Sequence, residues 1–145
     1  MMTYERLIKQ GLIKAYDASE KEIRSLLEIA SRDLSTAENM VSINPDWAYN
    51  ISYNAMLQSS RALMLRKGFR PRGSSQHATV VQFVKQTIGE EHRNFAALFD
   101  QMRRKRNRLV YDVASLVGKK ECEEALSLAH EFVALLNNLI NQEQS

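Results

Sequence analysis

Residues 19–43 constrain the fold more than any other stretch of this chain. Ser19 is followed three positions later by Glu22, the spacing of a capping box, in which two helix-end N–H groups are satisfied reciprocally. Ile23, Leu26, Leu27, Ala30, Leu34, Ala37 and Val41 then recur at helical spacing. The pattern predicts a helix running to about Ile43 with one continuous apolar stripe. Such a stripe must be covered by other elements, and the chain offers no alternating strand pattern of useful length. The covering elements are therefore expected to be helices.

The rest of the sequence supplies them. Thr3 to Tyr16 reads as a short first helix, broken near Gly11 or ending at Asp17. Asn44-Pro45 interrupts, with Asn44 as cap and Pro45 in the first turn of a helix that stops at Gly68. One face of that helix is small (Ala48, Ser52, Ala55, Ser59, Ala62), which favours close approach of a neighbour and also leaves open a groove floor. GFRPRGSSQ reads as a loop. Ser74 or Ser75 caps a fourth helix carrying Val80, Val81, Val84 and Ile88, and Gly89 ends it. A fifth helix spans about Glu90 to Asp112. The last carries Cys122, Ala125, Leu126, Ala129, Phe132, Val133, Leu136 and Ile140. The expected architecture is all-α, an antiparallel bundle of about five helices.

At 145 residues the chain is expected to form one domain over residues 1–145. The single cysteine, Cys122, allows no intrachain disulfide and reads as core. His77, His92 and His130 fall at no metal-ligand spacing, so no metal or cofactor is expected. No stretch is long and apolar enough to span a membrane, and the N-terminus is too polar for a signal peptide's apolar core. Cytoplasmic residence is the default expectation.

Net charge is only +3, but its distribution is lopsided. From Arg66 to Arg108 there are eleven Lys and Arg against three acids, while the remainder of the chain is net acidic. In QMRRKRNRLVYD, residues 101–112, five of the six residues from Arg103 to Arg108 are basic. Like charges three and four apart on a helix repel. The run is either a solvated face, partly neutralised by Asp100 and neighbouring helices, or a surface facing an anion. At 100° per residue Arg106 lies about 40° from Met102, the centre of the apolar face. An arginine so placed is costly to desolvate unless paired. A second cluster, Arg66, Lys67, Arg70 and Arg72, adds to the asymmetry. Arg103, Asn107 and Tyr111 share an adjacent stripe, and Tyr111 lies about 140° from Arg106, too far round one straight helix to share a small ligand with it. Glycine-rich phosphate loops, HExxH and GxSxG are absent from the sequence. His77 reads as a capping or packing residue. Trp47 reads as covering one end of the core.

The stretch AYNISYNAMLQSSRALMLRKGFRPRGSSQHATVVQF resembles the central helix and loop of HEPN domains, and RNRLVYD resembles their signature: an arginine, a polar residue, three variable positions and a histidine. The resemblance covers about residues 18–140. It places Arg106 at the arginine, Asn107 at the polar residue and Tyr111 at the histidine, as in a tyrosine-bearing branch of the family. HEPN domains commonly form homodimers whose signature helices face each other across a cleft. Their ribonuclease members work without metal, the histidine moving a proton for attack by the RNA 2′-hydroxyl and the arginine stabilising the phosphate. Many are the toxin-like member of a pair with a minimal nucleotidyltransferase antitoxin, which in some pairs adenylylates a tyrosine near the motif. The resemblance thus implies RNA or a nucleotide as ligand. Arg106, Asn107 and Tyr111 are the expected catalytic positions. Arg103, Arg104, Lys105 and Arg108, with Arg66, Lys67, Arg70 and Arg72, would give sequence-independent phosphate attraction.

The departure is chemical. A free phenol titrates near about 10 and a free imidazole near about 6.5, so Tyr111 is a poor general base at neutral pH without help. A non-catalytic module binding a nucleotide or a nucleotidyltransferase partner is the alternative that the tyrosine favours.

Overall fold

The computed structural model describes residues 4–111 and 117–143. Six α-helices account for most of them: α1 (Glu5–Lys9), α2 (Glu20–Met40), α3 (Pro45–Arg66), α4 (Gln76–Ile88), α5 (Arg93–Tyr111) and α6 (Lys119–Gln142). Two three-residue strands, β1 (Ile13–Ala15) and β2 (Phe69–Pro71), pair antiparallel.

The capping signals of α2 and α3 behave as the sequence predicts, whereas Ser75 stands at the N-cap of α4 without a side-chain capping bond. The Ser19 hydroxyl accepts from the Glu22 N–H at 3.1 Å, and the Glu22 carboxylate accepts from the Ser19 N–H at 2.9 Å, closing the capping box of α2. Asn44 Oδ1 accepts from the Trp47 N–H at 3.1 Å, with Pro45 in the first turn of α3. Asp46 reaches further and accepts the Val117 N–H at 2.8 Å, tying the start of α3 to the approach to α6.

α3 is the central helix. It packs against α2, α4, α5 and α6, and twelve of its residues are buried. Its small face, Ala48, Ser52, Ala55, Ser59 and Ala62, is fully covered, so it serves close helix packing. The serines there satisfy themselves within the helix: Ser52 donates to the Ala48 carbonyl at 2.9 Å and Ser59 to that of Met56 at 3.1 Å. Larger side chains fill the wider gaps. Tyr53, Phe99 and Phe132 form a ring chain, with Phe99 and Phe132 centroids 5.3 Å apart, and Cys122 is plain core.

Three expectations fail at the edges of the bundle. The helix expected over Thr3–Tyr16 is only the five-residue α1. Gly11, at φ +71°, turns the chain, and residues 13–15 become β1. The expected loop after Gly68 contains β2. The Ile13↔Pro71, Lys14↔Arg70 and Ala15↔Phe69 pairing joins segments over fifty residues apart, and the Tyr16 N–H to Gly68 carbonyl bond (2.9 Å) extends it. Three-residue strands are too short for alternation to register. Trp47 is about half exposed (52%) and does not cover the core. A 3₁₀ turn over Glu90–His92 also precedes α5.

The close packing of α3 has a direct test. Ala55→Leu would force a branched side chain into a fully buried contact and should cost about 1–3 kcal/mol. Urea denaturation measures it; an unchanged midpoint would mean that the helices do not meet tightly at Ala55.

Candidate functional site

The basic run is largely neutralised by carboxylates close to it. Arg103 donates to Asp100 through Nε (3.0 Å) and Nη2 (2.9 Å), and Arg104 takes the second Asp100 oxygen at 2.6 Å. Lys105 pairs with Glu121 on α6 at 2.5 Å, with its ammonium 5.9 Å from the centre of the Tyr49 ring. Arg108 is exposed. Arg106 differs from all of these. It is half-buried and makes no ion pair among the described residues; its guanidinium donates to Asn50 Oδ1 (3.3 Å) and Asn107 Oδ1 (3.4 Å).

Arg106 lines a pocket of about 230 Å³ whose walls come from four helices. α2 gives Arg32 and Asp33, α3 gives Asn50, Tyr53 and Asn54, and α4 gives His77. The walls are braced by hydrogen bonds. Asp33, nearly buried, accepts from Arg32 Nη2 at 3.1 Å and from Asn54 Nδ2 at 2.7 Å. The Tyr53 hydroxyl and His77 Nδ1 are 3.0 Å apart. That contact occupies one imidazole nitrogen and leaves Nε2 without a protein partner among the described residues.

The electrostatics of the pair follow from where it sits. Burial pushes the Tyr53 hydroxyl up to about 12, against the pull of Arg106, Arg103 and Arg61, so it stays protonated at neutral pH. Burial, and then the same three arginines led by Arg106, lower the pKa of His77 below the usual imidazole value. His77 is therefore a neutral imidazole at pH 7, able to accept or relay a proton.

The structure brings together only part of the predicted site. Arg106 is in the pocket and Asn107 touches it. Tyr111 closes α5, but its side chain, like all of Asp112, lies outside the described residues. Arg66 is only 12% exposed and pairs with Glu20, and Lys67 pairs with Glu143 at 2.7 Å, so both are held by the fold itself. Arg70 and Arg72 line a different concavity. Asp33, Asn50, Tyr53 and Asn54 were not singled out from sequence, and His77 was read as a packing residue. The visible signal was the polar trio Asn50, Tyr53 and Asn54, at i, i+3 and i+4 on one helix face. No cluster of three or more metal-ligating side chains occurs among the described residues. Nor, among them, is any helix long and apolar enough to cross a membrane.

The class is an all-α helical bundle, and the sequence assigns the family. The HEPN domain family's sequence model matches residues 23–139, so the chain belongs to the HEPN domain family. TT1696 from Thermus thermophilus has a similar fold, with a TM-score of 0.63 at 19% identity over 81% of this chain and 97% of that one. No curated protein matches the sequence.

The field on His77 makes a checkable claim about pH. In the unfolded chain this imidazole titrates near about 6.5, and in the fold its pKa is lower. As pH falls through that window, the unfolded chain takes up the proton first, so acid favours unfolding; at higher pH both states are neutral and the effect vanishes. His77→Gln should therefore lose part of the acid sensitivity that sets in as pH falls below about 6.5, seen as a smaller drop in urea midpoint. An NMR titration placing His77 at or above the free imidazole value would refute the depressing field.

Proposed function

We propose that this HEPN protein acts on RNA through the Arg106 pocket, as the toxin-like member of a toxin–antitoxin-type pair. The observation that carries this reading is the convergence of four helices on one polar pocket in which Asp33 is engaged by Arg32 and Asn54, Arg106 makes no ion pair among the described residues, and a neutral imidazole shares the lining. Arg106 would hold the scissile phosphate by charge-assisted hydrogen bonds. His77 Nε2 would take the proton of the 2′-hydroxyl, the role left vacant by tyrosine at the signature position. The 2′-oxygen then attacks phosphorus, the bond to the 5′-oxygen breaks, and that oxygen takes up a proton. The products are a 2′,3′-cyclic phosphate and a 5′-hydroxyl, with no metal required by this chemistry. The role for His77 needs Nδ1–H to donate to the Tyr53 oxygen, which leaves the Nε2 lone pair free.

Two exposed apolar side chains support a homodimer in this reading. Ile43 (75% exposed) and Trp47 (52%) flank the start of α3, and Trp47 lies one turn before Asn50, which touches Arg106. A second copy covering them would adjoin the pocket. A minimal nucleotidyltransferase is the antitoxin partner that the resemblance supports, and its binding is the alternative role for the same surface.

The test is RNA cleavage by purified protein in EDTA, alongside anisotropy of a 2′-O-methylated strand that binds but cannot be cut. Wild type should cleave. His77→Gln should slow cleavage by about 10²-fold or more while still binding, and Arg106→Ala should weaken both. Binding without cleavage would leave a phosphate-binding module; neither activity at low salt would sink the reading. For the dimer, light scattering after gel filtration should give twice the chain mass, and Trp47→Ala should shift it toward the monomer.

A further inference from the structure

A second concavity, of about 600 Å³, opens between the β1–β2 pair, α2, α3 and the segment leading into α4. Lys14, Arg61, Arg70 and Arg72 line it, against one carboxylate, Glu22. That carboxylate is committed to neutral donors: one oxygen accepts the Tyr16 hydroxyl at 2.6 Å and the other the Ser19 N–H at 2.9 Å. None of the four cations makes an ion pair among the described residues. The contrast lies close by, where Arg66 and Lys67 each have a carboxylate.

The strand register sharpens the imbalance. Lys14 and Arg70 are direct cross-strand partners, so the short sheet sets two cations side by side on one face. Like charges directly opposite each other destabilise a strand pair. Part of the repulsion is relieved by the Arg70 guanidinium lying 5.0 Å from the centre of the Tyr16 ring, a ring braced by its bond to Glu22. Glu22 is the one carboxylate in the lining, and neither Lys14 nor Arg70 forms an ion pair with it. An anion in the groove would offset the repulsion directly. The rest of the lining is partly aliphatic, from Leu26 and Leu65, which suits a ligand with a less polar portion.

We propose that this groove binds closely spaced phosphate groups through Lys14, Arg61, Arg70 and Arg72. Two sources share that chemistry: a free nucleoside polyphosphate and the backbone of an RNA strand. Gln76 lines this groove and His77 the Arg106 pocket, on consecutive positions of α4, so one strand could reach both. The groove is argued from its own residues and stands whether or not the Arg106 pocket cleaves RNA.

Calorimetry with three probes decides it: inorganic tripolyphosphate, ATP and a 2′-O-methylated oligoribonucleotide. Tripolyphosphate and ATP should bind saturably, and Arg61→Gln and Arg70→Gln should each weaken binding by about tenfold or more. Lys85→Gln, an exposed cation near the other end of α4, should change it by less than about twofold. In an Arg106→Ala background the loss of tripolyphosphate binding caused by Arg61→Gln and Arg70→Gln should persist, which separates this site from the pocket. If only the oligoribonucleotide binds, with the same dependence on Arg61 and Arg70, the groove takes strand phosphates. No saturable binding of any probe, or binding that ignores Arg61 and Arg70 or falls equally with Lys85→Gln, overturns the proposal.

Discussion

The fold depends on one contact: the small face of α3 against its neighbours. Ala48, Ser52, Ala55, Ser59 and Ala62 let other helices approach the α3 backbone closely, and a close-packed interior tolerates little slack there. Because α3 touches every other long helix, its rotation is fixed on several sides at once. Its remaining polar positions are then aimed without freedom. Asn50, Tyr53 and Asn54 face the Arg106 pocket, and Arg61, two turns on, faces the groove beside β1 and β2. The contacts that hold the bundle together thus also place the walls of both concavities.

Charge is arranged on the same frame, and more selectively than the sequence implies. The basic run looks like one surface, but Asp100 takes two of its arginines and Glu121 its lysine. These pairs, part-buried except at Arg104, reduce the local positive potential. Of the run, that leaves the exposed Arg108 and Arg106, whose hydrogen-bond acceptors are amides; the four cations of the groove come from elsewhere in the chain. The contiguous run therefore places one cation without an ion pair, Arg106, at a concave site, where low-dielectric walls strengthen attraction for an anion, and leaves Arg108 exposed.

Signals carried within one helix were legible. The Ser19–Glu22 box, the Asn44-Pro45 start of α3, its small face and the inward tilt of Arg106 all follow from spacing along a single element. The β1–β2 pair was not, because it joins short segments distant in sequence and neither strand is long enough to show a period. The pocket's partners were hidden for a related reason. Asp33, Asn50, Tyr53 and His77 meet Arg106 only through the relative rotation of four helices, which tertiary packing decides. His77 illustrates the limit: as a lone histidine near a helix start it looks like packing, and only the 3.0 Å contact with Tyr53 and the shared pocket with Arg106 give it chemical meaning.

The pairing of Arg106 with His77 also bears on timing in the proposed reaction. Before ligand arrives, burial first and then Arg106, Arg61 and Arg103 disfavour an imidazolium at His77, and its place in the first turn of α4 adds the positive end of that helix. The imidazole is then neutral but weakly basic. A phosphate bound at Arg106 would cancel much of the field from that side chain and add its own negative charge nearby, so the imidazole would hold a proton more firmly. Ligand binding would thereby strengthen the base at the moment a 2′-hydroxyl is presented to it. A phenol at the signature position would gain nothing from the same change, because a nearby phosphate disfavours phenolate. On this reading, the arginine that anchors the substrate also sets when the histidine can act, and the tyrosine in the motif is left free for a different role.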